Sequence, residues 1–390
     1  MGTSGFWSFY SSLVKTIPIS EIKGKIAFVD IVLYIHKYVI GIRKGGTDIT
    51  AKNGKNIIHL FALTKIIKNF TDSNILPICV FDGKSPLIKS ESIEKRRELV
   101  ELSKEKCEEL KKNNEANGEE YIKYFKRSFT ITNEMLNDCR NYLSLTGIPY
   151  INSIGEADPQ CAGMSHFYTN ITSGVFSEDS DIILYGAPCL MKDFDLKTNC
   201  VSIIYTSDII NFLQEKTDFN CFKYNLKPIT FTKQNLIDFS IIMGNDYCNG
   251  IRCNGGNNRD RLFELFVLSE FNINIFISIL NVLNEKKILY YIPENFIEKW
   301  KECSIIYNNV DIIDPENIDI KMNKPNQKEL RTFLEKNDFR NDIIEHITDS
   351  LLDLHNYFAK AIVINPKSKK NTEEWTIVGK SKRYRQIYCN

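Results

Sequence analysis

Net charge is nearly absent from this chain: 50 Lys and Arg stand against 49 Asp and Glu, leaving +1 over 390 residues. That balance argues against a protein that coats polyanions indiscriminately, while allowing an acidic pocket and basic surfaces to cancel in the sum. No apolar run approaches the ~20 residues of a membrane span. Cys-x-x-Cys is missing too. The 11 cysteines are scattered, and Cys248 with Cys253, the nearest pair, has no second pair at zinc-site spacing. Reduced, mostly buried thiols inside a cell are therefore expected. The start, Met1-Gly2-Thr3-Ser4-Gly5-Phe6, lacks the charged and apolar regions of a secretory signal, and Phe6 stands where myristoylation wants Ser or Thr. The acceptor patterns Asn69-Phe70-Thr71 and Asn170-Ile171-Thr172 are then decoys. There is no internal repeat. What is present, 43% hydrophobic and 25% charged residues, describes an ordinary globular protein with ample core, in one large domain or two packed ones.

Residues 25–33 form a β-rich apolar run suited to a buried parallel strand, residues 55–70 show helical spacing, and 74–81 is a second strand. Strand, helix, strand is a βαβ unit. From Lys84 to Lys126 charged residues crowd a helical pattern, read either as an exposed hairpin or as an arch of helices offering cations to a phosphate chain. Helices are expected at 133–145, 156–167, 236–243 and 262–268, and short strands at 149–151, 174–177, 182–185 and 201–205. Residues 214–231 read as a polar insertion, and the chain beyond 365 as a basic tail.

Seven carboxylates sit at or just past the ends of these apolar runs: Asp30, Asp82, Glu156, Asp158, Asp179, Asp181 and Asp246. Singly, each has a plain structural role, since an Asp after a strand commonly N-caps the next helix and acids favour a first turn. Five such borders in one chain are what those roles leave unexplained. Residues beyond the carboxyl ends of parallel strands line the functional crevice of an open α/β sheet. Carboxylates meeting there repel one another unless hard cations such as Mg²⁺ or Mn²⁺ neutralise them. Two divalent ions ~4 Å apart, activating water and clamping a leaving oxygen, are a known solution for phosphodiester hydrolysis. Lys89 and Arg96, seven apart on a predicted helix, fall on one face, where they would grip a phosphate, Arg96 bidentately. Gly255-Gly256, between two apolar helices, is either a tight turn or a place where backbone N–H groups approach a phosphate chain beside a monovalent ion.

In this order the motifs resemble the flap endonuclease branch of the structure-specific 5′ nucleases. The resemblance runs from residue 1 to about 355 and includes Gly41-Ile42-Arg43-Lys44-Gly45-Gly46, Val80-Phe81-Asp82-Gly83-Lys84, Leu145-Thr146-Gly147-Ile148-Pro149-Tyr150, Glu178-Asp179-Ser180-Asp181, Gly244-Asn245-Asp246-Tyr247-Cys248 and Asp314-Pro315-Glu316. It implies an α/β fold of the PIN-like 5′ nuclease type: a twisted, mainly parallel sheet with helices on both faces, a helical arch and a helix–two-turn–helix element. A single nuclease domain over 1–355 follows, with its N-terminal part at 1–105, the arch at 84–132, an internal part at 133–250, the helix–two-turn–helix at 236–270 and a helical C-terminal part at 271–355; residues 356–390 are a loosely ordered basic tail.

The resemblance places the seven acids on the family's metal site, with two Mg²⁺ that Mn²⁺ replaces, and Lys89 and Arg96 on its gateway cations. Gly2, His36, Arg43, Gly255 and Gly256 fall at DNA-contact positions, with K⁺ at the helix–two-turn–helix. It implies branched DNA with a 5′ flap or nick as partner, 5′→3′ exonuclease activity, a monomer, and a nuclear location or a cytoplasmic replication site for a virally encoded relative. The tail carries no Gln-x-x-apolar-x-x-aromatic-aromatic motif, so sliding-clamp binding is not expected. Three departures stand out: Glu156-Ala157-Asp158 replaces the family's Glu-Ala-Glu, His36 its aromatic residue, and Cys253-Asn254-Gly255-Gly256 its Gly-x-Gly turn. Competing readings are a relative preferring nicks or recombination junctions, a catalytically silent junction-binding subunit, and a phosphatase of small substrates.

Overall fold

The computed structural model describes residues 2–116, 118–253, 259–286, 290–361, 376–380 and 383–387. Seven strands form the central sheet: β1 (Lys15–Pro18), β2 (Ile26–Asp30), β3 (Leu76–Phe81), β4 (Tyr150–Asn152), β5 (Thr172–Phe176), β6 (Cys189–Asp195) and β7 (Cys200–Tyr205). Their order is β1-β7-β6-β5-β2-β3-β4. From β2 to β3 and β4, and from β2 to β5 and β6, pairing is parallel; β7 runs antiparallel to β6 and to β1. Every residue of β2 and β3 is buried, so both faces of the sheet centre are covered, as continuous apolar runs require.

The chain leaves β2 for β3 and β4, then returns across β2 to β5. This reversal is a topological switch point, and the carboxyl ends of β2, β3 and β5 flank it. Helices α1 (Phe6–Phe9), α2 (Ile31–Ile42) and α3 (Ile58–Asp72) precede β3. A charged hairpin, α4 (Ser90–Lys112) and α5 (Glu119–Arg127), follows it, then α6 (Asn133–Thr146), α7 (Ala157–Phe167) and the four-residue α8 (Asp181–Leu184). Helix α7 packs on β2, β3 and β5. The hairpin has its own small core of Cys107, Leu110 and Tyr121, separate from the main one.

After the sheet come α9 (Thr206–Lys223), α10 (Lys233–Met243), a short ladder of β8 (Arg252–Cys253) with β9 (Tyr290–Tyr291), and the helices α11 (Arg259–Leu268), α12 (Ile273–Glu285), α13 (Phe296–Asn308), α14 (Gln327–Lys336) and α15 (Asn341–Ala361). Strands β10 (Thr376–Lys380) and β11 (Arg383–Ile387) pair as a hairpin. Among the described residues the cysteines are free, and all but Cys200 and Cys253 are buried.

Several sequence expectations need correction. Residues 182–185 are not a strand: Asp181–Leu184 is a helical turn packed against α7. The expected polar insertion is mostly helix, because α9 continues to Lys223 and is held to α11 by Lys216–Asp260 and Lys223–Glu264 ion pairs, each 2.7 Å. The tail boundary at 355 falls inside α15, whose buried Leu351, Leu354 and Phe358 carry its apolar face past that point, and the β10–β11 hairpin lies within the expected loose tail.

Candidate metal centre and gateway

Asp30, Asp82 and Asp179 reach the crevice by local devices. Asp30 ends β2 and caps α2, its Oδ1 accepting from Leu33 N–H at 3.3 Å, so the capping role and a place in the crevice coexist in one side chain. Its Oδ2 accepts from Ser177 Oγ at 3.4 Å. Asp82 follows β3 and accepts from Ala157 N–H at 2.8 Å, which orients the start of α7. Gly83 makes that junction possible: a Cβ there would lie 2.1 Å from the Ser153 carbonyl oxygen. Asp179 Oδ1 accepts from Asp181 N–H at 2.9 Å, folding the acidic loop after β5 back on itself. Gly2 packs against this loop with φ +81°, and a Cβ on it would sit 2.3 Å from Asp179 Oδ1. The position predicted to touch DNA therefore lies directly against an acid of the cup.

Two cations close the site. Lys89, 9% exposed at the foot of α4, donates to Glu156 Oε1 at 2.7 Å and lies 4.7 Å from the Tyr247 ring centroid. Arg96, two turns further along α4, donates to Asp246 Oδ2 at 2.8 Å and is half exposed. The spacing of seven thus puts both on the face that overlooks the acids. Tyr247 donates its phenol to Glu156 Oε2 at 2.7 Å, and Tyr307 donates to Asp181 Oδ2 at 2.6 Å.

The electrostatics are those of like charges held together away from water. Burial pushes Asp30 and Asp158 well above the usual carboxylate range, reinforced by Asp82 for the first and by Asp179 and Asp30 for the second. Asp181 rises to about 7 through burial and Asp179; Asp82 and Asp179 are also raised by their enclosure, with Glu156 and Asp246 adding to it. Burial alone would lower Lys89, but Glu156, Asp158 and Asp246 outweigh it and its ammonium stays above the ordinary value.

The donor set suits a hard divalent ion. All the candidates are carboxylates, and Asp158 Oδ1 is buried with no hydrogen-bond partner, a costly state that a cation relieves. Among the described residues no group of three or more such side chains is closed up to the geometry of a bound ion. The acids would hold Mg²⁺ partly through water, of which that ion keeps several.

A pH dependence follows. An acid raised in the folded state stabilises the protein while protonated and loses that contribution as pH rises through its folded pKa. For Asp181, between the ordinary 3.8 and about 7, metal-free stability declines with rising pH. Melting curves in chelator and in Mg²⁺ check it: the rise in Tm on adding Mg²⁺ is larger at about pH 8 than at about pH 6, because protons no longer compete.

The other predicted contacts divide. His36 lies exposed on α2 with its ring 5.8 Å from Phe129, and the packing around the ring with Arg43 nearby lowers its pKa. Arg43 is corrected. It is 5% exposed, paired with Asp48 at 2.7 and 3.2 Å, bonded to the Phe125 carbonyl, and stacked 3.7 Å from the Phe125 ring centroid. With its donors so engaged, it fastens α5 to the end of α2 rather than facing a DNA strand. Arg43→Ala removes an enclosed ion pair, at a cost of about 3 kcal/mol, and limited proteolysis then cuts the α4–α5 hairpin faster than in the wild type. Gly255 and Gly256 lie outside the described residues.

Sequence reasoning missed Thr3, Ser177, Tyr247 and Tyr307, whose hydroxyls reach Asp181, Asp30, Glu156 and again Asp181. Tyr247 adjoins Asp246 and was within reach of a motif reading; Tyr307, 126 residues from Asp181, carried no local signal.

Comparison with known proteins agrees with this geometry. Residues 1–102 match the XPG N-terminal domain and residues 147–246 the XPG I-region. Flap endonuclease 1 of Bos taurus is 27% identical over 324 residues, covering 83% of this chain and 78% of the relative. The catalytic core of Rad2 in complex with DNA substrate superposes with a TM-score of 0.61 at 18% identity, over 90% of this chain and 100% of that one. The flap endonuclease-1 from Methanococcus jannaschii gives 0.60 at 23% identity, over 89% and 98%. Those solved structures share the fold, and the two matched regions together span just over half of the sequence. By those regions, with the acids they bring to one crevice, this chain belongs to the XPG family of nucleases.

Proposed function

We propose that the chain is a Mg²⁺-dependent, structure-specific 5′ flap endonuclease with 5′→3′ exonuclease activity, hydrolysing DNA phosphodiesters near single-strand/double-strand junctions in replication and repair. The observation that carries this reading is the pairing of a seven-acid cup with two cations, Lys89 and Arg96, on the helix above it. Asp30, Asp82, Glu156, Asp158, Asp179, Asp181 and Asp246 would hold two divalent ions, which supply a water acidic enough to attack at neutral pH and charge stabilisation for the leaving oxygen. The chain's own residues do the rest. Lys89 and Arg96 exchange Glu156 and Asp246 for the oxygens of the scissile phosphate, fixing it over the cup and stabilising charge that builds on it. The α4–α5 hairpin sets them over a single strand, and Arg43 keeps it seated. Tyr247 holds Glu156 in place as Lys89 moves to the phosphate.

The relatives named flap endonuclease 1 support the flap preference. The test is an end-labelled double-flap DNA incubated with and without Mg²⁺ and the cut mapped at nucleotide resolution. Cleavage confined to the junction and dependent on Mg²⁺ is expected. No cleavage, or cleavage indifferent to the flap and the adjoining duplex, overturns the reading.

A further inference from the structure

Helix α13 belongs to the C-terminal part of the chain, yet one of its side chains reaches into the acid cup. Tyr307 is fully buried and donates its phenol to Asp181 Oδ2 at 2.6 Å. The other oxygen of the same carboxylate accepts from Thr3 Oγ1 at 3.2 Å. Asp181 is the acid of the cup with both oxygens gripped by hydroxyls from distant parts of the chain. Its contrast is Asp158, whose Oδ1 has no donor at all. The ring of Tyr307 is itself immobilised, 5.2 Å from Tyr185 and 5.5 Å from Tyr247, centroid to centroid.

Asp181 stands beside Asp179 and Asp246, whose charges act against its own, and a carboxylate without fixed donors is free to undergo rotation. Two fixed donors oppose that rotation and leave its remaining lone pairs in a set direction. Groups that orient ligands in this way govern metal affinity, and losing one typically costs 10–100-fold.

We propose that Tyr307 is a positioning residue for divalent-ion binding: its hydrogen bond holds Asp181 toward the cup and couples α13 to the metal centre. This rests on the metal-dependent reading above. The plain alternative is a core tyrosine that took the nearest acceptor.

The full chain as wild type, Tyr307→Phe and Trp300→Phe separates the two. Trp300→Phe is the control: Trp300 lies on the same helix and donates Nε1–H to Asp238, an acid outside the cup, at 2.8 Å. Mn²⁺ uptake is followed by electron paramagnetic resonance, the Mg²⁺ dependence of single-turnover flap cleavage in parallel, and melting in chelator reports the fold. Tyr307→Phe is expected to weaken Mn²⁺ binding and raise the half-saturating Mg²⁺ by about tenfold or more, with the rate at saturating Mg²⁺ changed far less. Trp300→Phe is expected to lower Tm while leaving both titrations in place. A Tyr307→Phe titration that superimposes on the wild type overturns the proposal, as does an equal shift in Trp300→Phe. A wild type that takes up no Mn²⁺ defeats the metal reading itself and this inference with it.

Discussion

Asp179→Ala lowers cleavage of a 5′-flap duplex by about a thousandfold or more, equivalent to some 4 kcal/mol of transition-state stabilisation, while the variant still binds the duplex. The position justifies the size. Asp179 is 3% exposed, anchored by Asp181 N–H and pressed against Gly2. On the proposed metal reading, losing it removes a ligand from a cup in which the acids neighbour one another. Binding is retained, and tightens at low salt, because one negative charge beside the phosphate chain has gone. Single-turnover rates and a binding titration in Ca²⁺ check both halves. A silent junction-binding protein would show no cleavage even as wild type.

Lys89→Ala comes next, with a loss of about 10²–10³ in the single-turnover rate, the usual scale for removing one charge-stabilising donor. Lys89 is nearly buried, and the acids keep it charged. Its ammonium is therefore preorganised to stabilise a phosphate over the cup. Lys89→Arg keeps the charge but not the compact fit over Tyr247, so it recovers only part of the rate. Arg96→Ala loses less, roughly tenfold, because its guanidinium is half exposed and its contribution is screened by solvent. Equal losses at the two positions would contradict this ranking.

The strands that place the candidate site were legible because they are continuous apolar runs: Ile26–Asp30 ends at an acid and Leu76–Phe81 just before one. Where apolar character was not tied to a period, reading failed. Ile182–Tyr185 looks like a strand, yet Asp181 opens a helical turn there. β1 escaped notice because it is exposed apart from the half-buried Ile17, and β6 because its buried first half gives way to half-buried and exposed positions. The acids and the Lys89–Arg96 spacing were visible because each is set by a local border or by two helical turns. Arg43 and Tyr307 were not, since their partners Phe125 and Asp181 lie 82 and 126 residues away, and only the folded chain says whether a guanidinium faces solvent or a ring.

Anomalous diffraction from crystals soaked in Mn²⁺ tests the account most directly. Two peaks about 4 Å apart, within direct or water-mediated reach of Asp30, Asp82, Glu156, Asp158, Asp179, Asp181 and Asp246, are predicted. Crystals that show the same side chains with no peak among them, or manganese bound only elsewhere, would contradict it.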